Sequence, residues 1–179
     1  AVLHGPPGES GDERMLQRLA DGGAAVTLAT AGTQGELGTA SWQVLWPQRG
    51  SEVFPPGNDQ SVVLEVEGGG VPRALFLGDL SAEAQRMLVR TAHLRGSYAV
   101  VKVAHHGSAD QDFALYQDLR PVDALFSAGI DNDYGHPRAE SLASLEAAGA
   151  RVLRTDQEGR LLVGLDGDEL QLWTERQPP

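Results

Sequence analysis

The chain has 179 residues, a formal net charge of −11 and no cysteine. Its length favours one domain with a core that needs no covalent staple. The missing thiols exclude disulfides, thiolate nucleophiles, iron–sulfur clusters and Cys-based zinc sites, so any metal must be held by His, carboxylate, amide or water. The acidic balance argues against non-specific coating of nucleic acid, which takes basic proteins, but not against a nuclease, since bound divalent ions reverse the local field. No apolar run approaches the ~18 residues of a membrane span, and no signal peptide is visible. Lys102 is the one lysine among arginines, a bias that reads as genomic composition.

Ala1 to Leu3 is a short apolar start. Ser10 to Asp21 predicts a helix: Met15, Leu16, Leu19 and Ala20 keep helical spacing, Ser10 is the expected N-cap with Glu13 three residues on, and Gly22-Gly23 is the stop. Ala24 to Thr30 predicts a strand, Gly32 to Gly38 a turn-rich stretch, and Ser41 to Trp46 a second strand closed by Pro47. After a Pro/Gly loop, Val62 to Glu67 and Arg73 to Leu77 predict an antiparallel hairpin turning at Gly68-Gly69-Gly70. Ser81 then caps a helix to about Arg90.

Tyr98 to Ala104 reads as a buried strand, Gln111 to Leu119 as a helix, and Val122 to Ala128 as another strand. A polar loop leads to the helix Glu140 to Ala148, which Gly149 stops. Arg151 to Thr155, Arg160 to Asp166 and Glu169 to Trp173 are the last strands, with Gly159 and Asp166-Gly167-Asp168 as turns. Early hairpins followed by strand–helix alternation predict an α/β protein: a mixed sheet with helices on at least one face. Trp42, Trp46 and Trp173 fit strand positions better than a base-stacking platform.

Three polar clusters lie where apolar strands end: Gly78-Asp79, His105-His106-Gly107-Ser108 and Tyr134-Gly135-His136-Pro137. Strand ends are where α/β proteins place ligands. Taken singly each has a plainer reading. Gly-Asp after a strand is a turn, paired histidines are solvated or packed, and His136 is held extended by its proline. His4 and His93 read as surface residues. The three clusters together favour a site for Zn, Mn or Fe, with imidazole lone pairs and a carboxylate able to bridge two ions. No Gly-x-Ser-x-Gly elbow is present, and Ser108 has no context for a nucleophile.

NDQSVVLEV (58–66), LFLGD (75–79), VVKVAHHGS (100–108) and the run from Ala124 to Gly159 containing YGHP stand in an order that resembles the C-terminal metallo-β-lactamase-like domain of ComEC-family competence proteins. The resemblance implies a four-layer αββα sandwich with a two-ion Zn or Mn site between its sheets. It also implies a hydrolase that degrades the non-transforming DNA strand during uptake. Asp79 is then the carboxylate bridging the ions, and His105 or His106 is a ligand with the other supporting it. His136 is a ligand or a proton donor to the leaving oxygen. Asn58-Asp59 stands where relatives carry a histidine, so Asp59 is a candidate ligand, and Asn58 and Ser108 are candidates for contact with substrate.

The family's principal His-x-(His/Asp)-x-Asp-His motif is absent from these 179 residues. The expectation is therefore a sandwich incomplete on its N-terminal side, inactive or weak alone, and prone to self-association. The implied partners are single-stranded DNA and the rest of the uptake channel. The implied place is a domain of a bacterial cytoplasmic-membrane protein on its extracytoplasmic side. Two other readings stay open: a phosphodiesterase acting on a non-DNA ester, and a non-catalytic module of the channel.

Overall fold

A computed structural model describes residues 1–8, 10–94 and 96–177. Its elements in chain order are β1 (Val2–His4), α1 (Ser10–Asp21), β2 (Val26–Leu28), β3 (Gln34–Leu37), β4 (Ala40–Trp46), β5 (Val63–Gly68), β6 (Val71–Phe76), α2 (Ala82–Thr91), β7 (Val100–Lys102), α3 (Phe113–Leu119), β8 (Asp123–Phe126), α4 (Ala139–Ala147), β9 (Arg151–Arg154), α5 (Thr155–Glu158), β10 (Leu161–Asp166) and β11 (Glu169–Thr174). Strands β3 to β9 form one seven-stranded sheet in sequence order. Its first half, β3 to β6, is antiparallel; from β6 to β9 every pairing is parallel. The molecule is thus a mixed α/β protein built on a mixed sheet. The change from hairpins to crossovers follows the sequence: a Gly-rich turn joins β5 to β6, whereas helices α2, α3 and α4 separate the later strands.

The register row Leu75–Val101–Ala124 crosses the parallel half. It shares one buried cluster with Ala84 and Leu88 of α2, Leu115, Tyr116 and Leu119 of α3, and Leu145 of α4. Each fully buried Leu is worth about 2 kcal/mol in removed apolar surface. Strand alternation puts the next row, Phe76–Lys102–Leu125, on the other face. That face is less covered: Phe76 remains 39% exposed. The terminal hairpin β10–β11 reaches β6, and the amide of Leu165 donates to the Gly70 carbonyl at 3.0 Å.

The antiparallel half carries a polar cluster of its own. Glu65 is 6% exposed. Its carboxylate accepts from Gln43 at 2.7 Å, from Arg73 at 2.8 Å and from the Tyr98 hydroxyl. The Arg73 guanidinium also lies 4.3 Å from the centre of the Tyr98 ring. Burial by itself would raise the Glu65 pKa, but the hydrogen bonds from Tyr98, Arg73 and Gln43 outweigh it and hold the carboxyl below its ordinary value.

Two strands depart from the sequence expectation. Val2–His4 pairs in parallel with β2, and three residues are too few to show a period. Gln34–Leu37 pairs with β4 inside the stretch read as turns. Gly35 is there because the Trp42 indole lies on it: a Cβ would sit 2.6 Å from Trp42 Cζ2. At the start of α1, the capping role expected of the Ser10 side chain lies outside the described residues. Ser81 caps α2 as expected, accepting from the Ala84 amide at 3.3 Å. Helix α3 begins two residues after Gln111, whose side chain instead donates to the Ala104 carbonyl at 2.9 Å and accepts from the Tyr116 hydroxyl at 2.6 Å.

Candidate functional site

Because β6, β7 and β8 are parallel neighbours, the loops leaving them emerge at one end of the sheet. Gly78-Asp79 leaves β6, the histidine pair leaves β7, and Ser127 leaves β8. This is the carboxyl-end position at which open α/β sheets bind ligands. The loops are tied together by their backbones. The His105 amide donates to the Gly78 carbonyl at 3.0 Å, and the Arg138 amide to the Gly107 carbonyl at 2.8 Å. The Asp79 amide donates to Ser61 Oγ at 3.2 Å.

Close approach explains the glycines here. Gly78 has φ 59°, and a Cβ would lie 2.4 Å from Ser61 Cβ. Gly107 has φ 79°, with Phe126 Cδ1 2.5 Å from the place a Cβ would take. His105 and His106 are themselves left-handed, at φ 45° and 56°. Non-glycine residues seldom adopt that conformation, and such positions gather at functional sites.

His106 Nδ1 lies 2.7 Å from the Ser127 carbonyl oxygen and 3.2 Å from Ser127 Oγ. A carbonyl only accepts, so Nδ1 carries the proton and donates. In the neutral ring the lone pair is then on Nε2. Nε2 faces Asp79 Oδ2 at 3.6 Å. Two acceptors held face to face take a donor or a positive species between them: water, a proton on the imidazole or a cation, and at 44% and 32% exposed the two side chains leave room for each. Two ligand bonds of ~2 Å each span such a gap, and nitrogen with carboxylate oxygen is a donor set that divalent zinc accepts. A backbone carbonyl that fixes the tautomer is also the usual support of a ligating histidine.

The other oxygen of Asp79 is engaged. Lys102 Nζ lies 3.4 Å from Oδ1 and 2.9 Å from the Gly78 carbonyl. The lysine side chain is 18% exposed. Burial pushes its pKa below the ordinary value, and the Asp79 charge opposes that shift. The arginine bias reads as genomic composition and gave this lysine no role; in the structure its ammonium lies beside Asp79. The signal available was its uniqueness inside an otherwise apolar run.

The remaining histidines continue outward. The His105 ring centre is 6.3 Å from that of His106 and 5.7 Å from that of His136, and Tyr134 stacks on His136 at 6.0 Å. His136 enters on the loop after β8, which Asn132 braces. Asn132 Oδ1 accepts from the His136 amide at 2.9 Å, and its Nδ2 donates to the His136 carbonyl at 2.8 Å and the Gly129 carbonyl at 3.0 Å. Burial, then the charges of His105 and Arg138, holds the His136 pKa below its usual value.

The structure brings Asp79, His105, His106 and His136 to one end of the sheet. Asp59 and Asn58 lie on a short 3-10 turn, Asn58–Gln60, before β5. Asp59 Oδ1 accepts from the Ser81 amide at 2.8 Å, and its backbone carbonyl from the Trp46 indole at 2.8 Å. Ser108 is 7% exposed and accepts from Gln111 at 3.4 Å. Among the described residues, no three His, Asp or Glu side chains are grouped closely enough to hold an ion. The donors present therefore fit two positions of a divalent cation, with the others to come from water or from outside these residues.

No family model matches the chain. It is 33% identical over 155 residues to ComE operon protein 3 of Bacillus subtilis (strain 168), covering 86% of this chain and 19% of that protein. It is 33% identical over 109 residues to competence protein ComA of Neisseria gonorrhoeae, covering 60% of this chain and 16% of that protein. The chain is a relative of bacterial competence proteins. It spans less than a fifth of the length of these curated relatives. No helix among its described residues is long and apolar enough to cross a membrane.

Proposed function

We propose that this chain is part of a cation-dependent phosphodiesterase domain that acts on single-stranded DNA during its uptake. The observation that carries this is the Asp79–His106 pair: two acceptors fixed 3.6 Å apart at the carboxyl end of a parallel sheet. The competence relatives supply the DNA context. A divalent cation, Zn or Mn, held there would polarise a phosphodiester and stabilise the developing charge. A cation there would offset the chain's acidic balance, −11 overall, where a phosphate binds.

The residues divide the work by position. Asp79 and His106 are donors to the cation. His136, on the braced loop, would pass a proton to the leaving oxygen, and its lowered pKa makes its imidazolium the stronger acid. His105 packs between His106 and His136. Asp59, through Ser81, sets the entry to α2. Asn58, at the start of the 3-10 turn, and Ser108, which braces the histidine loop through Gln111, are offered as contacts for the substrate strand.

The four-layer metallo-β-lactamase arrangement is part of the same proposal. The three helices α2 to α4 share one cluster with one face of the sheet, and the partly exposed Phe76 row on the other face is what a second sheet would cover. The same row is the surface through which two copies of this chain would associate.

The test is hydrolysis of a labelled single strand and of bis-p-nitrophenyl phosphate by the purified chain in Mn²⁺ or Zn²⁺. Weak, cation-dependent cleavage that Asp79→Asn and His106→Gln abolish supports the reading. Cleavage of the small ester alone redirects it to a non-DNA substrate. Activity that survives both substitutions contradicts it.

A further inference from the structure

We propose that Lys102 is the positioning residue of this site, and that its ammonium takes the place of a second cation at Asp79. The proposal deepens the cation-site reading above and rests on it only for the number of ions. Two contacts carry it. The Gly78 carbonyl, 2.9 Å from Nζ, anchors the ammonium, and Oδ1 of Asp79 lies 3.4 Å away. Asp79 Oδ1 is thereby committed to lysine, while Oδ2 alone faces His106 Nε2 at 3.6 Å. The ammonium thus holds one side of the carboxylate, and Oδ2 is the oxygen left facing a cation.

The placement follows from the strand. Lys102 is the last residue of β7, and its register partners are Phe76 and Leu125. Its stem lies along apolar neighbours while its head reaches the strand end, as long cationic side chains do. A positive charge beside Oδ1 repels a second cation and keeps the first at the His106 side. Arginine in its place would carry the charge with a broader, planar fork, so it would preserve the repulsion better than the alignment.

The chain has one lysine, so lysine-selective ¹⁵N labelling gives one ammonium signal. The expected signal is slowly exchanging, and Asp79→Asn shifts and broadens it while the melting temperature stays within a few degrees. A wild-type signal that already exchanges like a free amine, or one that Asp79→Asn leaves unmoved, overturns the proposal whatever the site binds. The second readout is Mn²⁺ bound at saturation: one per chain in the wild type and in Lys102→Arg, rising toward two in Lys102→Met. Two per wild-type chain, or one in Lys102→Met as well, overturns the claim that the ammonium replaces a cation. A wild-type chain that binds no Mn²⁺ overturns both that claim and the cation reading above, and the ammonium signal alone then decides whether Lys102 positions Asp79.

Discussion

The two halves of the sheet each hold a carboxylate, a cationic side chain and an aromatic or imidazole ring, and they use them differently. Around Glu65 every partner is a donor. Gln43, Arg73 and Tyr98 all give hydrogen bonds to one buried carboxylate. Around Asp79 one oxygen has a donor, Lys102, and the other has an acceptor, the Nε2 of His106. The first cluster is complete and adds order to the antiparallel half. The second is held in place by Ser61, Gly78 and Ser127 yet lacks a positive partner on one side. A polar pair that is fixed yet open to solvent can take a ligand by displacing water, with no internal bond to break.

Four substitutions break that contrast from either side. The largest expected effect is Glu65→Ala, which takes the acceptor from Tyr98 and Gln43 and leaves Arg73 with Glu67, 3.6 Å away, and should cost about 3 kcal/mol in urea unfolding. Gly107→Ala follows. Its methyl meets Phe126 and Pro137 at a left-handed position, and the expected loss is about 2 kcal/mol with displacement of the histidine loop from β8. Tyr98→Phe removes one hydrogen bond from the same carboxylate and should cost about 1 kcal/mol. Asp79→Asn should change stability by under about 0.5 kcal/mol and remove divalent-ion binding. A large stability loss there would mean the pair is structural.

Acid separates the halves as well. The Glu65 carboxyl lies below its ordinary value of 4.5 in the fold. As acid is added, the unfolded chain therefore takes up this proton first. The stabilisation is complete above about pH 4.5 and is lost as pH falls through the lower, folded value. Glu65→Gln should flatten the stability profile in that window, measured by melting temperature between pH 3 and 6.

Much of this was legible in the sequence, and the reasons are specific. Apolar runs such as Tyr98 to Ala104 mark strands buried on both faces, so the strand ends and their polar residues could be located without coordinates. That Asp79 and His106 meet could be expected from adjacent parallel strands. Which histidine of the pair faces the carboxylate could not. His105 and His106 are neighbours in sequence, and only the left-handed backbone at both turns one ring to Ser127 and the other toward His136. Lys102 was passed over because the bias toward arginine reads as genomic composition and the run around it as a buried strand. Its role depends on a carbonyl 24 residues away in sequence. The strand Gln34–Leu37 was missed because Gly35 and Glu36 are poor strand formers, and Gly35 answers to the Trp42 ring rather than to local preference.

The central claim is that the Asp79–His106 pair receives a divalent cation. Its most direct measurement is paramagnetic broadening of the five histidine imidazole signals on titration with Mn²⁺, in the wild type and in Asp79→Asn. The account predicts that His106 broadens first, His105 and His136 next, and His4 and His93 last, with the order lost in Asp79→Asn. Equal broadening of all five, or an order that Asp79→Asn leaves intact, would contradict it.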